Sequence, residues 1–156
     1  MSTQSSGSLK RLNYLLGEID GTYHEVARKL GVSDSVSKIL YTICDTDSGD
    51  RCPLHEICRQ TGLSKQTVNS ALRGLEREGV IYLRAVDGKA KEVCLTEPGK
   101  AFAEKTARQV IQIENDILED WTPEELEIYL KLTERYLAQL AQKAEQLPQR
   151  PGLNTP

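Results

Sequence analysis

Apolar residues return every three or four positions along most of this chain, then change rhythm between Val80 and Leu95. The first run, Leu9, Leu12, Leu15, Leu16, Ile19, Tyr23, Val26 and Leu30, predicts a long amphipathic helix, weakened by Gly17 and Gly21 and stopped at Gly31. A second helix follows through Val36, Ile39, Leu40 and Ile43, with Ser33 or Asp34 as its cap. The polar run Asp45 to Asp50 reads as a loop. Pro53 suits the first turn of a third helix that buries Leu54, Ile57 and Cys58, and Thr61-Gly62-Leu63 turns the chain into a fourth. From Val80 to Val86 and Lys89 to Leu95 the pattern is strand-like around an Asp87-Gly88 turn. Thr96 then caps a helix running towards Leu118. Trp121-Thr122-Pro123-Glu124-Glu125 starts the last one, with Thr122 as cap and Pro123 in the first position. That helix carries Leu126, Tyr129, Leu130, Tyr136, Leu137, Leu140 and Leu147 up to Pro148.

The fourth helix, from Ser64 or Lys65 to Glu78, has two chemically different faces. Val68, Ala71, Leu72 and Leu75 form an apolar stripe. Lys65, Gln66, Asn69, Ser70 and Arg73 lie opposite, and these side chains suit phosphates and base edges. Helix, tight turn and two-faced helix make a helix-turn-helix, which reads the major groove with the start of its second helix. The hairpin after it is a wing. The fold class is therefore mainly α with a small β-hairpin, a winged helix-turn-helix.

Charge changes this picture by its distribution rather than its sum. The 156 residues carry a net charge of −3, which by itself does not suit a nucleic-acid binder. Between Arg59 and Lys91, however, seven bases (Arg59, Lys65, Arg73, Arg77, Arg84, Lys89, Lys91) meet three acids (Glu76, Glu78, Asp87). That excess is enough for a local phosphate footprint. From Glu114 to Glu145 acids dominate, so one face is kept away from DNA. Aromatic residues make up 5% of the chain, which argues against a large aromatic-lined enzyme pocket. No nucleophile–base set or glycine-rich phosphate loop is present, and an enzyme is not expected. The start is Ser-rich without an apolar signal core, and no stretch is long enough to span a bilayer. The expectation is a cytoplasmic protein with free thiols and no membrane partner.

In order and spacing, several pieces together resemble the MarR family of transcriptional regulators. They are Gly62-Leu63-Ser64-Lys65-Gln66-Thr67-Val68, Leu75-Glu76-Arg77-Glu78-Gly79-Val80-Ile81, Leu95-Thr96-Glu97-Pro98-Gly99 and the Trp121-Thr122-Pro123-Glu124-Glu125-Leu126 helix start. The likeness runs from about Leu9 to Leu147. It implies a homodimer that binds a palindromic operator in double-stranded DNA, usually as a repressor, and is released by a small-molecule effector or an oxidant. The terminal helices would interlock into a dimerisation lobe. The expected organisation is a disordered tail over 1–8, a helical dimerisation region from 9–31 and 100–147, a winged helix-turn-helix over 32–99 and a flexible tail over 148–156. One departure stands out. Many members carry Asp-x-Arg in the wing, and here Asp87 is followed by Lys89 in the arginine position. Lysine lacks the planar fork, so a weaker minor-groove contact is expected.

The DNA-binding set expected from the residues is Ser64, Lys65, Gln66, Asn69, Ser70 and Arg73 on the reading helix, with Arg84, Lys89 and Lys91 on the wing. Gln66 and Asn69 can pair bidentately with adenine, and Arg73 or Lys65 with guanine or phosphate. One reading helix covers only a half-site, which argues for two chains, and the apolar stripes on the first and last helices are the natural interface. Tyr14, Tyr23, His24, Arg28 and Tyr41 could line an effector crevice, although such residues more often pack or cap. Cys52-x-x-His55-x-x-Cys58 has metal-ligand residue types, but positions six apart diverge on a helix and Cys58 falls on a buried stripe, so no metal and no cofactor are expected. Cys52, beside Arg51 at a helix start, is the best redox-sensor candidate among Cys44, Cys52, Cys58 and Cys94. Oxidant-sensing relatives usually keep their reactive cysteine in the first helix, and this one has none. Two alternatives stay open: a redox-sensing regulator using Cys52, and a protein-interaction winged helix without DNA binding.

Overall fold

A computed structural model describes residues 4–152. The chain divides into two compact units, one ending at Ile113 and one beginning at Glu114. The first opens with helix α1, Gly7–Lys29, capped by the Ser6 hydroxyl, which accepts from the Leu9 amide at 3.1 Å. The helix thus begins two residues inside the segment expected to be a disordered tail, because Ser6 supplies a cap. Residues 1–3 lie outside the described part. Gly31, with φ 77°, turns the chain after α1. Ser33 then caps α2, Asp34–Cys44.

Between α2 and the next helix is a strand that periodicity does not reveal: β1, Arg51–Pro53. Three residues carry no readable alternation, and Pro53 looks like a helix start. Pro53 instead precedes the helix and ends the strand, at the edge of the sheet where its missing N–H costs no ladder bond. Helix α3, Leu54–Thr61, closes on Gly62 in the left-handed region, and α4, Lys65–Arg77, follows after the Ser64 cap. Strands β2, Ile81–Asp87, and β3, Ala90–Leu95, complete an antiparallel sheet in the order β1-β3-β2. The expected helix after Thr96 is two. Helix α5, Glu97–Lys105, ends at Thr106, whose backbone leaves the helical region, and α6, Ala107–Glu119, starts beyond it.

Ile39, Leu40, Ile43, Ile57, Val68, Leu72, Leu75, Ile81, Val93 and Leu95 are the centre of the core. The two periods seen in the sequence are what bring them together. Helical residues spaced three and four apart meet Val93 and Leu95, alternate residues of β3, and Ile81 at the start of β2. In contrast, α1 buries only Ala27, and Leu15, Leu16 and Ile19 on it are about half exposed.

The second unit contains α7, Pro123–Glu145. Its expected start is present in full: Thr122 Oγ1 accepts from the Glu125 amide at 3.1 Å, and the Glu125 carboxylate accepts from the Thr122 amide at 2.9 Å. No residue of this helix is buried, and Tyr129, Leu130, Tyr136, Leu137 and Leu140 are at least half exposed. Among the described residues no helix is long and apolar enough to cross a membrane.

Candidate nucleic-acid interface

The reading helix is built as its two-faced sequence dictates. Val68, Leu72 and Leu75 are buried, and Ala71 is half-buried against them. Lys65, Gln66, Ser70 and Arg73 are exposed, while Asn69 is half-buried at the boundary. The Ser64 hydroxyl accepts from the Thr67 amide at 3.1 Å and donates to Thr67 Oγ1 at 2.8 Å, so it fixes the first turn. Gln66 and Ser70 also line an open groove of about 580 Å³ between α4, the start of α2 and Phe102. Among the described residues, no acid lies within salt-bridge distance of Lys65, Arg73, Lys89 or Lys91. These cations are open to an external anion.

The wing differs from its sequence reading by one residue. Asp87 pairs with Ala90, so the turn is Gly88-Lys89 and Lys89 sits at its tip. Gly88 has φ 53°, a conformation that suits glycine. Opposite Lys91 stands Ala85, and the register shifts between Ala85 and Asp87, leaving Val86 as an extra residue. Arg84 is consequently placed opposite Glu92 and bonded to its carboxylate. That carboxylate holds Arg84 more firmly protonated than usual and occupies it. Arg84 thus differs from Lys89 and Lys91 in having an acid partner, although half of its side chain stays exposed.

A clip at the base fixes the wing against the helices on either side. Thr96 Oγ1 donates to the carbonyls of Gly79 and Val80 and accepts from the Gly99 amide at 2.9 Å. The Thr96 amide bonds the Val80 carbonyl at 3.1 Å. Gly99 passes so close to that carbonyl that a Cβ would sit 1.9 Å from its oxygen. Leu95-Thr96-Glu97-Pro98-Gly99 is thus a joint between strand and helix.

The residues suggested for an effector lie along α1 and α2. His24 Nδ1 bonds both carboxylate oxygens of Asp34, at 2.8 and 2.9 Å. Arg28 donates to Glu25 at 2.6 and 3.0 Å. Tyr14 and Tyr23 are exposed on α1, Tyr41 is half-buried on α2, and none of the five lines the groove beside α4.

Cys52 does not have the environment of a sensor thiol. It is 1% exposed, on β1 and not at a helix start. Burial, with a smaller push from the Glu56 and Glu92 carboxylates, moves its thiol up to about 11. A sensor needs the reverse, an exposed thiol with a lowered value. Burial also raises Cys44, and all four cysteines are free. Among the described residues no cluster of His, Cys, Asp or Glu is suited to a metal ion.

Sequence reading missed two connections. The Arg84–Glu92 pair is hidden by the bulge. Arg108 on α6 donates to the Gly49 carbonyl at 2.9 Å, 59 residues away, and no local pattern marks it.

The geometry defines a winged helix-turn-helix with cations presented at the start of its reading helix and the tip of its wing. Residues 30–92 match the model of the MarR family. Known structures agree in fold. NMB1585, a MarR family regulator from Neisseria meningitidis, is similar with a TM-score of 0.72 at 20% identity over 90% of this chain and 98% of that one. A MarR-family transcriptional regulator from Silicibacter pomeroyi gives 0.65 at 23% identity, covering 82% and 88%. MepR from S. aureus, in a complex with DNA, gives 0.64 at 19% identity, covering 88% and 99%. No curated protein sequence matches the chain significantly. Residues 30–92 thus match the MarR family model, and the fold is the one seen in these MarR-family structures.

Proposed function

We propose that this protein is a cytoplasmic, homodimeric repressor that binds a palindromic operator and is released by a small molecule. One observation carries the reading. The exposed side of α4 presents Lys65, Gln66, Ser70 and Arg73, with Asn69 at its edge, while its other side is buried. Cations without acid partners gain most from a phosphate backbone, and amide side chains beside them can read adenine. The MepR–DNA complex, a similar fold, supports DNA as the partner. The dimer is supported by α1 and α7, each of which leaves apolar residues uncovered within its own unit. Two-fold symmetry would present two reading helices roughly 34–36 Å apart, one DNA turn. An effector would release DNA to the extent that it binds a mis-spaced dimer better than the DNA-bound form.

Selection of bound duplexes from a random library tests this directly, using wild type, Asn69→Ala and Arg73→Ala. A palindromic consensus that is lost or relaxed in the variants is the expected result. No enrichment, even at low salt, would remove the repressor reading and favour a winged helix that docks on protein.

A further inference from the structure

The DNA-binding reading leaves one anion on the wing without a role. In the ladder between β2 and β3, Ile81, Leu95 and Val93 join the core, while Tyr82, Arg84, Glu92 and Cys94 alternate onto the other face of the sheet. There the Glu92 carboxylate accepts from Arg84 Nη2 at close range. The Glu92 side chain is only 15% exposed and the Arg84 side chain 51%, so the acid is the fixed member and the guanidinium is reachable from solvent. The groove beside them, about 290 Å³, also contains Arg51 and Lys100. Both have acid partners: they share Asp50, at 4.0 Å from Arg51 and 3.6 Å from Lys100, and Lys100 also lies 3.0 Å from Glu97. Lys89 and Lys91, further out on the same hairpin, have none.

We propose that Glu92 sets the DNA affinity of the wing, as a tethered carboxylate that occupies Arg84 in the place of a DNA phosphate. Guanidinium binds carboxylate and phosphate through the same charged N–H groups, so the two compete for it. While Glu92 holds Arg84, the wing's phosphate contacts come from Lys89 and Lys91. A backbone phosphate reaching Arg84 must displace an anion that travels with it. The effect lowers the sequence-independent part of the affinity, which is the salt-sensitive part. It requires no movement of the reading helix.

The experiment is the salt dependence of duplex binding for wild type, Glu92→Gln, Arg84→Gln and the double variant. Wild-type binding to duplex DNA is measured first. Its absence at low salt would overturn the DNA-binding reading itself, before any variant is compared. With wild type bound, Glu92→Gln is expected to tighten binding and to steepen the plot of log affinity against log salt by about 0.9, one further phosphate. The gain should then shrink about 3.5-fold between 50 and 200 mM salt, four raised to that power. In the Arg84→Gln background the same change should leave the slope untouched. An unchanged slope in Glu92→Gln would overturn the proposal, because Arg84 then reaches no phosphate. So would an equal change with and without Arg84, which is a general charge effect. Weaker binding in Glu92→Gln would show that the pair serves only to hold the hairpin.

Discussion

Gly99 and Cys52 occupy positions where one atom more, or one charge more, has no space. At Gly99 the obstacle is backbone, since any Cβ would meet the Val80 carbonyl oxygen at 1.9 Å. Gly99→Ala should therefore cost about 2–3 kcal/mol, the upper end of overpacking, measured as a lower urea midpoint. At Cys52 the obstacle is ionisation. A thiol whose folded value, about 11, lies above its unfolded 9.0 contributes stability below pH 9 that is lost as pH rises towards 11. Folding free energy should fall by roughly 2–3 kcal/mol more over that interval in wild type than in Cys52→Ala, at about 1.4 kcal/mol per unit. Urea titrations at stepped pH read the difference, and parallel curves would show that the thiolate is tolerated. The buried state of Cys52 was not legible from its sequence neighbours. Arg51 and Pro53 suggest an exposed helix start, whereas a three-residue strand paired with β3 puts the thiol in the core.

Elements with strong local signals were read correctly, and those defined by distant partners were not. The Thr122 cap, Pro123 and Glu125 specify the start of α7 within four residues, and the structure contains each bond. Thr122→Ala should cost about 1 kcal/mol, seen by far-UV dichroism in urea, with Thr122→Ser retaining most of it. A full-strength helix in the alanine variant would mean that the cap is redundant. The wing shows the other case. Had Asp87-Gly88 been the two-residue turn, Arg84 would oppose Lys91; the turn lies instead at Gly88-Lys89, and the extra residue at Val86 then sets Arg84 opposite Glu92 rather than Val93. One residue of register converts a like-charged pair into an ion pair, and no periodicity over so short a hairpin fixes that choice. The break at Thr106 was equally unreadable, since Ala103, Thr106 and Ala107 continue a helical pattern and are buried on both sides of it.

For the whole molecule, the largest unpaired quantity is apolar surface. The second unit has α7 with no buried residue, and the proposed second chain would cover Leu130, Tyr136 and Leu137, each at least half exposed. Leu130→Glu together with Leu137→Glu should convert a dimer into monomers in sedimentation equilibrium and weaken operator binding at least tenfold. A monomeric wild type would exclude the two-chain reading. Within the first unit, the loop before β1 is held from two sides. Arg108 Nη2 bonds the Gly49 carbonyl at 2.9 Å, and the next carbonyl, Asp50, accepts from the Leu95 amide at 2.8 Å. Arg108→Ala should speed hydrogen exchange at the Leu95 amide, while an unchanged rate would mean that the two bonds act independently. These adjacent carbonyls make a tie-rod between α6 and the root of the wing: a roll of α6 would pull on the strand that carries the hairpin, and the hairpin tip would swing as the long arm of a lever.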